Sequence, residues 1–454
     1  MFSRILIANR GEIAIRIIRS CKEMGIETVA VFSEADRSAM HVALADESIC
    51  IGGAEASKSY FDPERIISAA IVTKVQAIHP GYGFLAESER LADLCEKNKI
   101  AFIGAKSEVL SKMGDKDKAR RIMEKAGIPI ISGTEILADE KEALEAANKL
   151  GYPVMLKARA GRRSKGIRVV NEPGDVEISF QMASREARDD LGDGAMYMEK
   201  CIIPAQNIEV QLIADEFGKA VCLGERDCSI QRKFQRLIEE APAPKCNEEL
   251  RNKLYKLAKK AAEAVELIGV GSVEFLVDAD ENIFFIDMNL EVQVEHGISE
   301  QVTDIDIVKW QIRVSAGVPL GFAQDDIVLR GHSIQCRINA SAVGKVAFLH
   351  VPGGPGVRFD SALWTGCEIP PHYDLLLGKL MAYAATREEA IRKMRAALCE
   401  LVIDGVKNNI DEQIEFVSDP EFNGGEYGID FVTRKVLGGK ANEGAKDAKQ
   451  HLER

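Results

Sequence analysis

The sequence predicts an α/β protein (α+β overall), and three observations carry that expectation. Apolar strands alternate with helix-spaced segments through the N-terminal part. An apolar run at Ile283–Ile286 passes straight into a series of acids. A long amphipathic stretch, Glu248 to Ile268, separates strand-rich regions.

Taken in order, Arg4 to Ala8 reads as a strand and Asn9-Arg10-Gly11-Glu12 as a turn. Ile13, Ile17 and Cys21 recur at helical spacing up to Gly25, and Thr28 to Phe32 is a second strand. Val75 to Ile78 is another, followed by the loop His79-Pro80-Gly81-Tyr82-Gly83-Phe84. Alternating strands and helices imply a parallel sheet with ligands at its strand ends; the first turn has no GxGxxG, which argues against a dinucleotide site. The HPGYGF loop reads equally well as a ligand loop or as a tight turn packing two aromatics.

Residues 114–200 read as a separate lobe. It has helices over Lys118–Lys125 and Glu135–Leu150, a strand Tyr152–Lys157, a loop Arg159–Gly166 and a strand Met196–Lys200. Two strand-end or helix-end lysines around a glycine-bearing loop suit a nucleoside triphosphate, because an ammonium acts as a point charge on phosphate. Downstream, the helix at 248–268 buries Leu250, Leu254, Leu257, Ala261 and Val265 along one stripe. Gly271–Val277 is a strand holding Glu274. The polar turn Asp278–Asn282 folds the chain back, so Glu274 is expected near Asp287.

After Ile286 the chain offers Asp287, Asn289, Glu291, Gln293 and Glu295 at every second position. If the strand continues, all five share a face. Carboxylates gathered at the end of a buried strand suit Mg²⁺, which takes oxygen ligands together with substrate phosphates. Further strands, a turn at Pro352–Gly356 and a helix Arg387–Leu401 follow. The tail from Gly438 is Gly-, Ala- and Lys-rich and is expected to be disordered.

Composition narrows the function. The formal charge of −12 gives nucleic-acid binding little support. Ten scattered cysteines without a CxxC pair suit a reduced, cytoplasmic setting. The opening MFSRILIANRGE is too short and polar for a secretory signal, and no apolar run is long enough to span a membrane.

The stretches IANRGEIAIRI, HPGYGFLAE, MGDK, GYPVMLKA, YMEK, ERDCSIQR, EEAPAP, VEFL, QVEH, CRINA and LVIDGVKNN run from residue 7 to about 409. Through them the chain resembles biotin carboxylase, the ATP-grasp component of acyl-CoA and pyruvate carboxylases. The resemblance implies a Rossmann-like N-terminal domain at 1–113, and an ATP-grasp domain at 114–326 with a lid at about 130–202. A biotin carboxylase C-terminal domain at 327–437 and the tail at 438–454 follow. It implies use of Mg-ATP to activate bicarbonate and transfer of the carboxyl group to biotin on a carrier protein. It also implies assembly with carrier and carboxyltransferase subunits and dimerisation, for which Arg19 and Glu23 match interface positions.

Residue by residue, the resemblance gives Lys116 and Lys157 to phosphate, and Glu199 and Lys200 to the adenine hinge. Gly161, Gly166 and Gln231 fall at the nucleotide, and Glu274, Asp287 and Asn289 at the metal. Glu295 matches the general base, with Gln293 and Val294 beside it, and Arg337 lies near biotin. Departures fall in the same places. Asp287 replaces a glutamate and is shorter by one carbon–carbon bond, ~1.5 Å. The glycine-rich lid loop here reads Arg159-Ala160-Gly161-Arg162-Arg163-Ser164-Lys165-Gly166, where non-glycine residues make left-handed backbone costly. Asn207 and Phe234 replace histidines, and Arg236 replaces a lysine that helps hold bicarbonate. Only Ser341–Gly344 separates CRINA from Lys345 where the family carries a longer acidic segment.

Glu291 matters most, because the family places arginine there, beside bicarbonate. Two unit charges ~4 Å apart interact by about 4 kcal/mol at an effective dielectric near 20. Each 1.36 kcal/mol is about tenfold in rate. Three readings follow. The first is a degenerate subunit pairing with an active paralogue as a structural or regulatory partner. The second is an active carboxylase with an altered site, and the third an ATP-grasp ligase for another acceptor such as an amine.

Overall fold

The computed structural model describes residues 1–159 and 166–436. The N-terminal domain is a five-stranded parallel sheet in the order β3-β2-β1-β4-β5, built from β1 (Arg4–Ile7), β2 (Glu27–Ser33), β3 (Glu47–Gly52), β4 (Ala77–His79) and β5 (Ala101–Phe102). The helix Gly11–Glu23 buries Ile13, Ile17 and Cys21 beneath this sheet, the stripe its spacing predicts. It ends before Gly25, whose φ of +71° suits glycine.

The lobe after residue 130 is a three-stranded antiparallel sheet, β7-β6-β8, of β6 (Val154–Ala158), β7 (Ile167–Val170) and β8 (Met196–Lys200). Its own core joins Leu156, Met198, Val176 and Ala183. One expected helix is shorter than its pattern: it runs Glu140–Leu150, not from Glu135. Asp139 caps it by accepting the Glu142 amide at 2.9 Å, and the residues before it pair with β8, Leu137 N–H donating to Met196 O at 2.8 Å.

The central unit is an eight-stranded antiparallel sheet. Its order is β13 (Ile283–Asn289), β12 (Gly269–Asp278), β9 (Ala205–Ala214), β10 (Ala220–Arg232), β11 (Gln235–Ala241), β14 (His332–Asn339), then Leu376–Ala384 and Val357–Ser361. Phe275, Phe285 and Met288 pack against Leu250, Leu254 and Ala258 of the helix Glu248–Ala264. That helix stops four residues short of the expected end, where Glu266 turns to φ +53°. The last two strands and the helix Arg387–Glu400 form the C-terminal core around Leu380, Met394 and Phe431.

The first and last thirds interlock. Tyr373 of the C-terminal part sends its hydroxyl to Ser33 Oγ and the Ala54 carbonyl, both at 2.5 Å, and the Arg10 guanidinium stacks 4.2 Å from its ring. All ten cysteines are free thiols. Among the described residues no helix is long and apolar enough to cross a membrane.

Candidate active site

The β12–β13 hairpin sets Glu274 opposite Asp287 and Ser272 opposite Asn289. The alternation does not continue. β13 ends at Asn289, and Glu291, Gln293 and Glu295 lie in the turn before the helix His296–Thr303, so the five polar residues do not share one face. The reason is local: the start of that turn is anchored twice elsewhere, Leu290 N–H on Glu87 and the Glu291 carboxylate on Gly83 N–H, each at 2.9 Å.

Asn289 Nδ2 donates to Glu274 Oε1 at 2.8 Å. Asp287 Oδ2 meets Lys116 Nζ at 3.1 Å, and its Oδ1 accepts the Met288 amide at 2.9 Å. Asp287 raises the Lys116 pKa against the opposing effect of burial. Two carboxylates and an amide on neighbouring strands form a hard-oxygen donor set that fits Mg²⁺. Lys116 opens the helix Lys116–Lys125, two residues earlier than expected, because Asp115 caps it through the amides of Asp117 and Lys118.

Glu295 is fully buried at the N-terminal end of the helix His296–Thr303. Two guanidinia hold it. Arg337 Nη2 lies 2.9 Å from one oxygen, and Arg236 Nη1 contacts the other. Neither arginine serves Glu295 alone. Arg236 also pairs with Glu209 at 2.8 Å and Glu274 at 2.6 Å, and Arg337 with Glu239 at 2.5 Å. Arg226, wholly buried, reaches Glu209 at 3.2 Å and donates to Gln211 and Ser299. Burial pushes the Glu209 pKa up, but Arg236 and Arg226 outweigh it and hold it at about 2. Sequence spacing alone does not single out Glu209, Glu239 and Arg226. The available signal is the alternation of Asn207, Glu209 and Gln211 along the buried strand β9.

The HPGYGF loop is held on several sides. Asn9 Nδ2 donates to the carbonyls of Pro80 (2.7 Å) and Tyr82 (2.8 Å), His79 Nδ1 accepts the Gly81 amide at 3.1 Å, and the Tyr82 hydroxyl bonds Glu12. Phe84 stands at φ +41°, a strained value for an aromatic residue. Behind the Glu295 turn lies Lys379, wholly buried. Its Nζ donates to the Val294 carbonyl at 2.9 Å and pairs with Glu12 at 3.1 Å, while Asp360 lies at 3.9 Å.

In the three-stranded lobe, Lys157 Nζ pairs with Glu199 at 2.5 Å, whereas Lys200 points its ammonium to the carbonyls of Gly151 (2.7 Å) and Tyr152 (2.9 Å). Gly166 has φ +68°, and a Cβ there would sit 2.6 Å from Ala158 Cβ. Gly161, in 160–165, lies outside the described residues. Gln231 stands opposite Arg236 across the β10–β11 hairpin. Lys233 and Phe234 turn that hairpin with φ of +49° and +64°, and Phe234 is exposed. The exposed Arg19 and Glu23 lie on the helix Gly11–Glu23, and Glu23 pairs with Lys309 at 2.5 Å.

Family models for the biotin carboxylase N-terminal domain, the ATP-binding domain of the carbamoyl-phosphate synthase L chain and the biotin carboxylase C-terminal domain match residues 1–110, 115–323 and 336–434. A biotin carboxylase of Nostoc sp. is 46% identical over 95% of this chain and 98% of its own length. Biotin carboxylase 1 of Bacillus subtilis is 44% identical over 96% and 100%. The crystal structure of a Campylobacter jejuni biotin carboxylase–β,γ-ATP complex superposes with a TM-score of 0.93 at 44% identity, covering 96% of this chain and 99% of the other. The biotin carboxylase domain dimer of Hydrogenobacter thermophilus 2-oxoglutarate carboxylase, in complex with MgADP, ADP and bicarbonate, also gives 0.93, at 42% identity over 96% and 98%.

Proposed function

The chain belongs to the biotin carboxylase family, and we propose that it is a Mg-ATP-binding subunit of a biotin-dependent carboxylase whose own carboxylation step is slowed. Lys116 and Lys157 take the triphosphate, Glu199 and Lys200 the adenine edge, and Gly161, Gly166 and Gln231 border the nucleotide. Glu274, Asp287 and Asn289 would hold Mg²⁺, which when bound neutralises phosphate oxygens. Glu295 is the base toward bicarbonate, and Arg337 lies at the biotin side. The domain limits are 113/114 and 326/327. The setting is cytoplasmic, and the partners are a second carboxylase chain, the same or an active paralogue, with biotin carrier and carboxyltransferase subunits.

One observation carries the slowed step. Each guanidinium that reaches Glu295 is already shared with other carboxylates, and at position 291, where the resemblance implies a cation, the chain has a glutamate held on the Gly83 amide. A bicarbonate anion must compete with those carboxylates for its positive partners. Transition-state charge then loses stabilisation worth ~10²–10³ in rate when one donor is missing.

A second reading, a competent carboxylase, draws on the same geometry. Arg236 and Arg337 still converge on Glu295, so positive charge remains beside the base. ADP release measured with Mg-ATP, bicarbonate and free biotin separates the two. The slowed reading expects bicarbonate- and biotin-dependent release about 10²–10³ below that of a competent relative, and turnover within tenfold of that relative sinks it. The double variant Glu291→Arg with Arg236→Lys is expected to stay slow, because the basic lid loop departs from the glycine run as well.

A further inference from the structure

We propose that Lys116 and Asp287 are mutual placeholders that couple the nucleotide site to the metal site. Their ion pair sets each where the other's incoming partner would bind, the ammonium on a carboxylate oxygen and the carboxylate on a phosphate-directed ammonium. This inference rests on the nucleotide reading above and concerns only how binding is ordered.

Lys116 and Asp287 are separated by 171 residues in sequence, and the helix that begins at Lys116 packs against β13, which brings Nζ to 3.1 Å from Oδ2. The second oxygen of Asp287 is engaged by the Met288 amide. Asp287 therefore has both oxygens occupied, one of them by a side-chain cation. The neighbouring Glu274 is occupied differently, by Arg236 Nη2 at 2.6 Å and Asn289 Nδ2 at 2.8 Å. Lys116 contacts only one member of the donor set.

An ammonium and a divalent cation on one carboxylate oxygen repel, so Lys116 cannot keep its place once Asp287 carries the metal. Its ammonium is then free for phosphate. Conversely, a nucleotide arriving alone meets a lysine still neutralised by Asp287. Linkage makes the coupling reciprocal: whatever draws Lys116 to phosphate frees Asp287 for the cation by the same factor.

The test is ADP binding by calorimetry, in EDTA and in MgCl₂, to the full chain. In the wild type, metal-free ADP is expected to bind at least tenfold more weakly than MgADP. Asp287→Asn removes a metal ligand, yet it should tighten metal-free ADP at least threefold by releasing Lys116. That gain should vanish in Lys116→Met/Asp287→Asn, and Glu274→Gln, whose partner is Arg236, should give less than half of it. Thermal midpoints verify folding, and Asp287→Ser repeats the test should Asp287→Asn not fold. A gain that persists without Lys116, or no gain, overturns the placeholder pair while leaving nucleotide binding intact. No ADP binding by any form overturns the nucleotide reading and this inference with it.

Discussion

The Glu291 carboxylate accepts the Gly83 amide at 2.9 Å and so ties the HPGYGF loop to the turn that carries Glu295. The tie is reciprocal in direction: Glu87, on the first loop, accepts the Leu290 amide of the second at the same distance. Two hydrogen bonds running opposite ways fix two loops from different domains against each other.

Removing one bond should loosen one end selectively. Glu291→Ala is expected to speed hydrogen exchange at the Gly83 amide at least tenfold, while Leu290, held by Glu87, changes less than twofold. Mass spectrometry of peptides spanning 80–90 and 286–296 reads both. Equal acceleration of the two amides would mean that the loops open as one body and that Glu291 has no separate role.

Lys379 offers a test of stability. It is wholly buried beside Glu12 and Asp360. Lys379→Met keeps the stem and removes the charge, leaving those carboxylates partly uncompensated. Breaking a buried pair this way typically costs about 3–5 kcal/mol. Urea denaturation should show a loss of that order, and a loss under about 1 kcal/mol would contradict the pairing.

Asp227 gives a pH dependence with a definite sign. Burial pushes its pKa up to about 7 from an ordinary 3.8, against the hydrogen bonds from Ser229. Between those values the folded chain keeps a proton that the unfolded chain has lost, so this residue's contribution to stability falls as pH rises from about 4 to 7 and is flat above. At 1.36 kcal/mol per unit the full change is about 4 kcal/mol. Asp227→Asn should remove this decline, raising the thermal midpoint at pH 8 relative to the wild type and narrowing the difference at pH 5. A midpoint difference that does not vary with pH would refute it.

The pairing of Glu274 with Asp287 was legible because a short polar turn between two apolar runs allows little but a hairpin. The run from Asp287 to Glu295 misled for a physical reason. Period-two spacing describes a strand only while the backbone has a neighbour to pair with, and here Glu87 and Gly83 capture the chain after Asn289. The helix expected at Glu135 failed similarly, since β8 claims Thr134 and Leu137 before Asp139 can cap. Glu209 and Glu239 stayed hidden because a buried acid reveals itself only through partners, and theirs arrive from Arg226, Arg236 and Arg337 on other strands. The departures at Glu291 and Asp287 were visible in the sequence, whereas the groups that meet them, Gly83 and Lys116, were not.

The Tyr373 hydroxyl, seated on Ser33 and the Ala54 carbonyl, bears on how the chain is made. Its ring also closes over Tyr60 and Phe84, at 5.5 and 6.4 Å between centroids. During synthesis the N-terminal sheet leaves the ribosome first, but the aromatic cover for its Tyr60–Phe84 face is encoded some 290 residues later, so that face stays uncovered until the segment around Tyr373 has emerged.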